Sequence, residues 1–95
     1  MAEIRVSMTA DGDGWVAQVT VSEATSDTKH RVTLSTIDYR RLTGDAIPPE
    51  TLVRASFVCL LERERKESIL REFDLLIIGS YFPEYEAAMA KLTSR

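Results

Sequence analysis

The sequence has 95 residues, of which 44% are hydrophobic and 28% charged, and its formal net charge at pH 7 is -3. A chain of this length buries roughly 60 to 65% of its unfolded surface, so we expect a single domain over residues 1–95. This composition excludes the class of disordered proteins, and the excess of acidic residues argues against broad attraction to nucleic acid or acidic membranes.

Alternation of apolar and polar residues predicts three antiparallel strands in the first third of the chain. Two Asp-Gly pairs at residues 11–14 favour the positive φ angles of a hairpin turn between the first and second strands. A polar connection at residues 23–28 separates the second strand from the third. The residues predicted on the apolar side are Ile4, Val6 and Met8, then Trp15, Ala17, Val19 and Val21, then His30, Val32 and Leu34.

Two helices are predicted in the middle of the chain. The Ser35 hydroxyl can cap the first turn of a short helix, which Gly44 ends by accepting a left-handed conformation. Pro49 suits the first turn of a longer helix over residues 49–65, because its missing N–H would have no partner there. Apolar residues cover a broad arc of this longer helix, which predicts that it lies against the sheet with Phe57 and Leu60 in the core.

The segment after the long helix is read as two further short helices. Apolar residues at helical spacing predict the first over residues 67–73, and Asp74 can cap a second over residues 75–82. The apolar run at residues 75–78 is also compatible with a buried strand, although helix is favoured. The residues that set the first stripe are Ile69, Leu70 and Phe73.

A last helix is predicted to start at Pro83. Its apolar stripe consists of Tyr85, Ala88, Met89 and Leu92. The predicted fold class is therefore α+β, with an N-terminal three-stranded antiparallel meander followed by about four helices packed on one face of it.

Four segments of the second half resemble a known family. LLERE, KESIL, FDL and YFPEY, at residues 60–64, 66–70, 73–75 and 81–85, resemble in order and spacing the C-terminal half of a family of small uncharacterised bacterial and archaeal proteins. The N-terminal half of that family is strand-like and ends in a segment similar to HRVT at residues 30–33. The chain differs from the family at Arg65, where the family has proline, and in the more apolar Leu76 and Ile77. Because the family has no established activity, the resemblance implies no functional residues.

No motif for metal binding or catalysis is recognised. The loop at residues 11–14 lacks the downstream ligands of a calcium loop, and His30 and Cys59 are the only residues of their types. Cys59 cannot form an internal disulfide, which indicates a reducing compartment, and its apolar neighbours predict a structural thiol that packs in the core. The N-terminus resembles neither a signal peptide nor a membrane anchor, so a cytoplasmic location is expected. The sequence assigns no catalytic, cofactor-binding or metal-binding residue and no cofactor.

Nucleic-acid binding through a helix-turn-helix is the weaker functional alternative. The helices predicted at residues 67–73 and 75–82 are closely joined, but the second is apolar where a recognition helix needs polar or basic side chains. The charged residues at 62–72 fit a solvated helix face with favourable four-residue pairings.

The leading hypothesis is a small soluble protein-interaction module. The apolar residues near the C-terminus exceed what one small core would cover, so a protein partner or a second copy in a homodimer would bury the excess. Packing of the same residues on the central helix is equally compatible with the pattern. The predicted interaction surface consists of Leu76, Ile77, Tyr85, Met89 and Leu92. A small enzyme is a third class, and it would need an apolar pocket holding a carboxylate of raised pKa.

Overall fold

Strands fill the first third of the chain and helices most of the remainder in the structure, a computed structural model that describes residues 2–93 and the side chains of residues 2–92. The strands are β1 (Glu3–Asp11), β2 (Gly14–Glu23), β3 (Ser26–Ser35) and β4 (Glu72–Asp74). The helices are α1 (Thr36–Thr43), α2 (Pro49–Leu61), α3 (Ile77–Tyr81) and α4 (Tyr85–Thr93), with a short 3-10 helix over Lys66–Ser68. The α+β class is confirmed.

The described residues form a four-stranded sheet in the order β1-β2-β3-β4. The antiparallel meander predicted for the first three strands is confirmed, but β4 joins β3 in parallel, so the sheet is mixed and larger than predicted. The connection predicted at residues 23–28 is shorter in the structure, because β2 extends to Glu23 and β3 already begins at Ser26.

The hairpin between β1 and β2 depends on two glycines. Gly12 has a φ of 58°, and a positive φ at the first central position of a two-residue loop is typical of a type II′ turn. Gly14 has no room for a side chain, because a Cβ atom there would lie 2.2 Å from the carbonyl oxygen of Leu34. The turn and the adjoining strand pair therefore require glycine for different reasons.

The prediction of a helix over residues 67–73 is wrong. After the short 3-10 helix the backbone becomes extended, and the N–H of Leu75 donates to the carbonyl of Thr33 at 2.9 Å. Phe73 and Leu75 are buried, whereas Glu72 and Asp74 are exposed. This alternation has the two-residue period of a strand. Pairing with the free side of β3 therefore overrides the helical spacing.

The central helix α2 is confirmed, but it ends at Leu61 and not at residue 65. Arg65 is extended, with φ of -73° and ψ of 152°, and directs the chain so that the next side chain, Lys66, turns inward. Phe57 and Leu60 lie in the core as predicted, with 0% and 4% of their surfaces exposed.

The apolar run at residues 75–78 is neither a strand nor one helix throughout. Leu75 and Leu76 form a turn, α3 begins at Ile77, and the last helix begins at Tyr85 instead of Pro83. The carboxylate of Asp74 accepts a hydrogen bond from the N–H of Leu76 at 3.1 Å, which places the predicted cap at the turn.

The caps of α1 are confirmed. The Ser35 hydroxyl accepts a hydrogen bond from the N–H of Asp38 at 3.1 Å, and Gly44 ends the helix with a φ of 60°. The ring of Trp15 in β2 packs edge to face against the ring of Tyr39 in α1, with their centroids 5.3 Å apart.

The helices cover one face of the sheet, and the other face is mostly polar, with Val16 as a buried apolar residue on it. Inward residues of β2 and β3 alternate with exposed ones such as Gln18, Lys29 and Arg31. No helix within residues 2–93 is long and apolar enough to span a bilayer.

Candidate functional site

An apolar groove lies where the C-terminal end of α2, the segment before β4 and helix α3 meet. It encloses a cavity of about 170 Å³. Its floor consists of the buried side chains of Leu60, Ile69, Phe73 and Ile78, and its rim of Leu70, Ile77, Tyr81 and Phe82. We call this feature the α3 groove.

The rim of the α3 groove is unusually apolar for a surface. Leu70, Ile77 and Tyr81 are 48%, 38% and 65% exposed, and they are three of the six large apolar residues exposed in the described part of the chain. The other three, Ile37, Val58 and Leu92, do not line the groove. Exposed apolar residues gathered around a cavity, unlike single scattered ones, are typical of an interaction site.

One charged residue, Glu64, lines the α3 groove. It is half-buried, and its carboxylate has no hydrogen bond or ion pair within the described residues. The neighbouring Glu62 and Glu84 both approach Arg63, at 3.6 Å each. Glu64 is therefore the carboxylate at this site that remains available to a cationic group of a ligand.

Arg63 holds one wall of the α3 groove in place. Its guanidinium donates to the carbonyl oxygen of Cys59 at 3.0 Å and lies over the ring of Phe82, 5.7 Å from the centroid. Burial is the main cause that raises the pKa of the Cys59 thiol, so the thiol stays protonated at neutral pH. Cys59 is thus a packing residue at the site, as its apolar neighbours predicted.

Lys66 precedes the groove residue Ser68 by two positions and is buried, whereas sequence reasoning placed it on a solvated face. Its side chain is buried, and its ammonium donates to the hydroxyl of Ser26 at 2.8 Å and to Glu67, with Glu23 at 3.8 Å. A buried ammonium is stable only when its donors are satisfied in this way. These contacts fasten the segment after α2 to the turn between β2 and β3.

His30 fixes the position of the rim residue Leu70. Its Nδ1 lies 2.7 Å from the carbonyl oxygen of Leu70, and its Nε2 lies 2.9 Å from the hydroxyl of Thr28. Since a carbonyl only accepts, Nδ1 carries the hydrogen and Nε2 accepts from the threonine. Burial is the main cause that lowers the pKa of His30, so the ring is neutral at pH 7. His30 is a structural tie between β3 and the groove.

The five residues predicted as an interaction surface are not brought together. Tyr85 and Met89 lie in the core of the chain itself, with 0% and 2% exposed, because α4 packs on α1 and α2. Leu76 is half-buried, Ile77 lies at the groove rim, and Leu92 is exposed on α4.

Tyr85 illustrates why the α4 stripe is internal. Its hydroxyl lies 2.7 Å from that of Ser56, which in turn donates to the carbonyl oxygen of Leu52 at 2.8 Å, so the buried polar atoms satisfy one another. Burial raises the pKa of Tyr85 well above its ordinary value. The stripe of α4 therefore docks on the central helix.

Of the ten residues that line the groove, sequence reasoning predicted Ile77 alone at an interaction surface, and the residues that it missed include Glu64, Leu70 and Tyr81. Each ends or opens one of the segments LLERE, KESIL and YFPEY, so the family-like motifs coincide with the groove. Nothing in the local spacing indicated that the three segments would meet.

Two of the alternative kinds of site are not formed within the part of the chain that the structure describes. Within residues 2–93 no group of three or more His, Cys, Asp or Glu side chains is placed to hold a metal ion. The two joined helices of a helix-turn-helix are not formed, because residues 72–74 are a strand. Comparisons of the chain with protein-family models, with curated proteins and with solved structures gave no match.

Proposed function

We propose that this protein is a small protein-interaction domain whose α3 groove binds an apolar side chain of a partner, flanked by a lysine or arginine. The observation that carries this proposal is the apolar rim of Leu70, Ile77 and Tyr81 around a formed cavity, beside the unpaired carboxylate of Glu64. An apolar anchor would fill the cavity, and a basic neighbour would meet the carboxylate.

The size of the groove favours a side-chain anchor over a cofactor. Its cavity of about 170 Å³ is smaller than the roughly 300 to 1,000 Å³ of typical small-molecule sites. Peptide-binding grooves instead accept one or a few side chains and gain specificity from charges at the rim. The acidic, apolar character of the groove also disfavours a nucleic acid, whose phosphates require basic side chains.

The proposal is tested by selection from a randomised displayed peptide library against the purified protein. The expected peptides share one large apolar residue close to a lysine or arginine. Tyr81→Ala should weaken binding of these peptides at least about tenfold, which corresponds to about 1.4 kcal/mol. Glu64→Gln should weaken binding of peptides that carry the basic residue and leave neutral analogues unaffected.

Ile37→Ala is the matched control, because Ile37 is an exposed apolar residue of α1 that does not line the groove. It should bind the selected peptides as the wild type does. Failure to enrich any common sequence, or peptides that bind the Tyr81→Ala protein as tightly as the wild type, would overturn the proposal.

A further inference from the structure

The outer edge of β1 carries unpaired backbone groups. The two-residue loop makes Asp11 and Gly14 a hydrogen-bonded pair, and in an antiparallel ladder such pairs alternate with non-bonded ones. The N–H and C=O groups of Ile4, Val6 and Met8 therefore point away from β2. The carbonyl oxygen of Ile4 does point outward, since it accepts a hydrogen bond from Arg54 of α2.

Beyond this Arg54 contact and the charges of Glu3, Arg5 and Asp11, β1 lacks the features that usually protect a sheet edge. It has nine residues in one-to-one register with β2, which means no bulge, and it contains neither proline nor lysine. Natural edges are commonly shortened, bulged, charged or covered, because a long regular edge can pair with another strand.

The apolar side chains of β1 are also incompletely covered. Ile4, Val6 and Met8 face the helices but remain half-buried. Their neighbours on β2, which are Val21, Val19 and Ala17, are at most 1% exposed. The core therefore stays open along this edge of the sheet.

Helix α2 extends the open apolar surface above β1. Val58 follows Arg54 by four residues, so both project from the same side of the helix, and Val58 is 48% exposed. Arg54 reaches the edge of β1, so this side of α2 overlooks that edge. Glu62 continues the row by another four residues.

We propose that a second copy of this chain occupies this edge. The β1 strands of two copies pair antiparallel about a two-fold axis, and the two four-stranded sheets become one eight-stranded sheet. The two-fold symmetric pair is the commonest arrangement of homo-oligomers. It also sets the two α2 helices antiparallel, so Arg54 faces Glu62 of the second copy and Val58 lies between them.

The charges of β1 select a register. With Val6 on the two-fold axis, Ile4 stands opposite Met8 of the second copy, and Glu3 and Arg5 stand opposite uncharged residues. A shift that brings Val6 opposite Ile4 would set Arg5 opposite Arg5, and like charges directly opposite are destabilising. The favoured register forms about six backbone hydrogen bonds between the chains. Arg54, which also pairs with Glu50 at 3.2 Å in the single chain, leaves the Ile4 carbonyl and pairs with Glu62 of the second copy.

This dimer goes beyond the proposed binding function and leaves it intact. β1 and β4 are the opposite edges of the sheet, and the α3 groove includes Phe73 of β4. A dimer paired through β1 therefore presents two α3 grooves at its far ends. Binding of partners at both grooves at once would raise their avidity without new contacts.

Sedimentation equilibrium tests the proposal directly. We expect the mass to rise from one chain, 10.7 kDa, towards twice that value as the concentration increases, with half-dimerisation below about 1 mM. Val6→Pro removes an outward N–H that has no partner in the single chain, and it should raise the dissociation constant at least about tenfold. Val6→Ala, which keeps that N–H, should dimerise more tightly than Val6→Pro.

Val58→Glu provides a second variant, at an exposed helix position where folding is tolerant of change. It should also weaken the dimer, whereas Ile37→Glu, a matched change on α1, should leave it unchanged. A single-chain mass at all concentrations up to about 1 mM would overturn the proposal. The β1 edge would then be open to pairing with a strand of another protein. Dimerisation that neither Val6→Pro nor Val58→Glu weakens would overturn it as well.

Discussion

The two edges of the sheet are built in different ways. β1 is nine residues long, regular and open along its outer side, whereas β4 is only three residues long. At the β4 edge the carboxylate of Asp74 accepts from the hydroxyl of Thr33 at 2.9 Å and from the N–H of Leu76 at 3.1 Å, and the chain turns into α3.

This difference shows how one sheet can serve two kinds of contact. The β4 edge is shortened and followed by α3, and the groove beside it exposes apolar side chains. The β1 edge offers backbone groups, which pair with any strand of suitable register. The two proposals therefore place side-chain recognition at one end of the molecule and strand pairing at the other.

The largest effect is expected from loosening the core under the β4 edge. Phe57 has no exposed surface, and its ring lies 5.3 Å from that of His30 and 6.1 Å from that of Phe73, measured between centroids. Phe57→Ala should lower the free energy of unfolding by about 3 to 5 kcal/mol, measured by urea denaturation. Ile37→Ala should change it by less than about 0.5 kcal/mol. Similar small effects for both variants would contradict the central position of α2.

A smaller loss is expected from disturbing the hairpin that defines the β1 edge. Gly14→Ala would bring a Cβ atom against the Leu34 carbonyl, so the strands must shift, at a cost of about 1 to 3 kcal/mol. Gly12→Ala meets open space but keeps a positive φ, which costs about 1 kcal/mol. If Gly12→Ala proved the more damaging in thermal unfolding, the close approach of β2 and β3 at Gly14 would be wrong.

Removing the Asp74 carboxylate at the end of β4 should have a modest effect on stability. Asp74→Ala removes two exposed hydrogen bonds and should lower the free energy of unfolding by about 1 kcal/mol, with faster hydrogen exchange at Leu75 and Leu76. Asp74→Asn, which keeps an acceptor oxygen, should lose less. Unchanged exchange at these two amides in Asp74→Ala would show that the carboxylate does not hold this end of the sheet.

The smallest expected effect is a pH dependence through His30, the sole histidine. Burial lowers its pKa in the folded chain below the ordinary value of 6.5, so the unfolded chain binds the proton more readily. The free energy of unfolding should therefore be constant above pH 6.5 and fall as the pH drops below it. His30→Asn should remove this slope in urea titrations between about pH 5.5 and 6.5. A wild-type curve that is flat over this interval would contradict the buried neutral ring.

Local patterns predicted the parts of the fold that depend on near neighbours. The meander follows from alternation, α1 from its Ser35 cap and Gly44 stop, and the burial of Phe57 from the apolar arc of α2. Each of these features is decided within about ten residues of chain, which is the range over which periodicity and capping are informative.

The features that sequence reasoning missed depend on distant partners. β4 forms because the free side of β3 pairs with it, about forty residues away along the chain, and this pairing defeats the helical spacing of Ile69 and Phe73. Lys66 is buried because its ammonium donates a hydrogen bond to Ser26 and forms an ion pair with Glu23. No local pattern contains either partner.

The candidate site shows the same limit. Ile77 was predicted at an interaction surface because of its apolar character, but Leu70 and Tyr81 join it only after β4 and α3 have folded back. The stripe of Tyr85 and Met89 was correctly read as apolar, yet a stripe alone does not distinguish docking on its own chain from docking on another. The neighbouring helices α1 and α2 decide that question.

The most direct test of the open β1 edge is hydrogen exchange of individual backbone amides at two protein concentrations. The amides of Arg5 and Ser7 bond to β2 and should be protected at both about 10 µM and about 1 mM. Those of Val6 and Met8 point outward, so they should exchange rapidly at the lower concentration and become protected at the higher one. Rapid exchange of Val6 and Met8 at both concentrations would contradict an edge that is closed by a second copy, and protection of these amides in a sample that sediments as a single chain would contradict an edge that is open in the single chain.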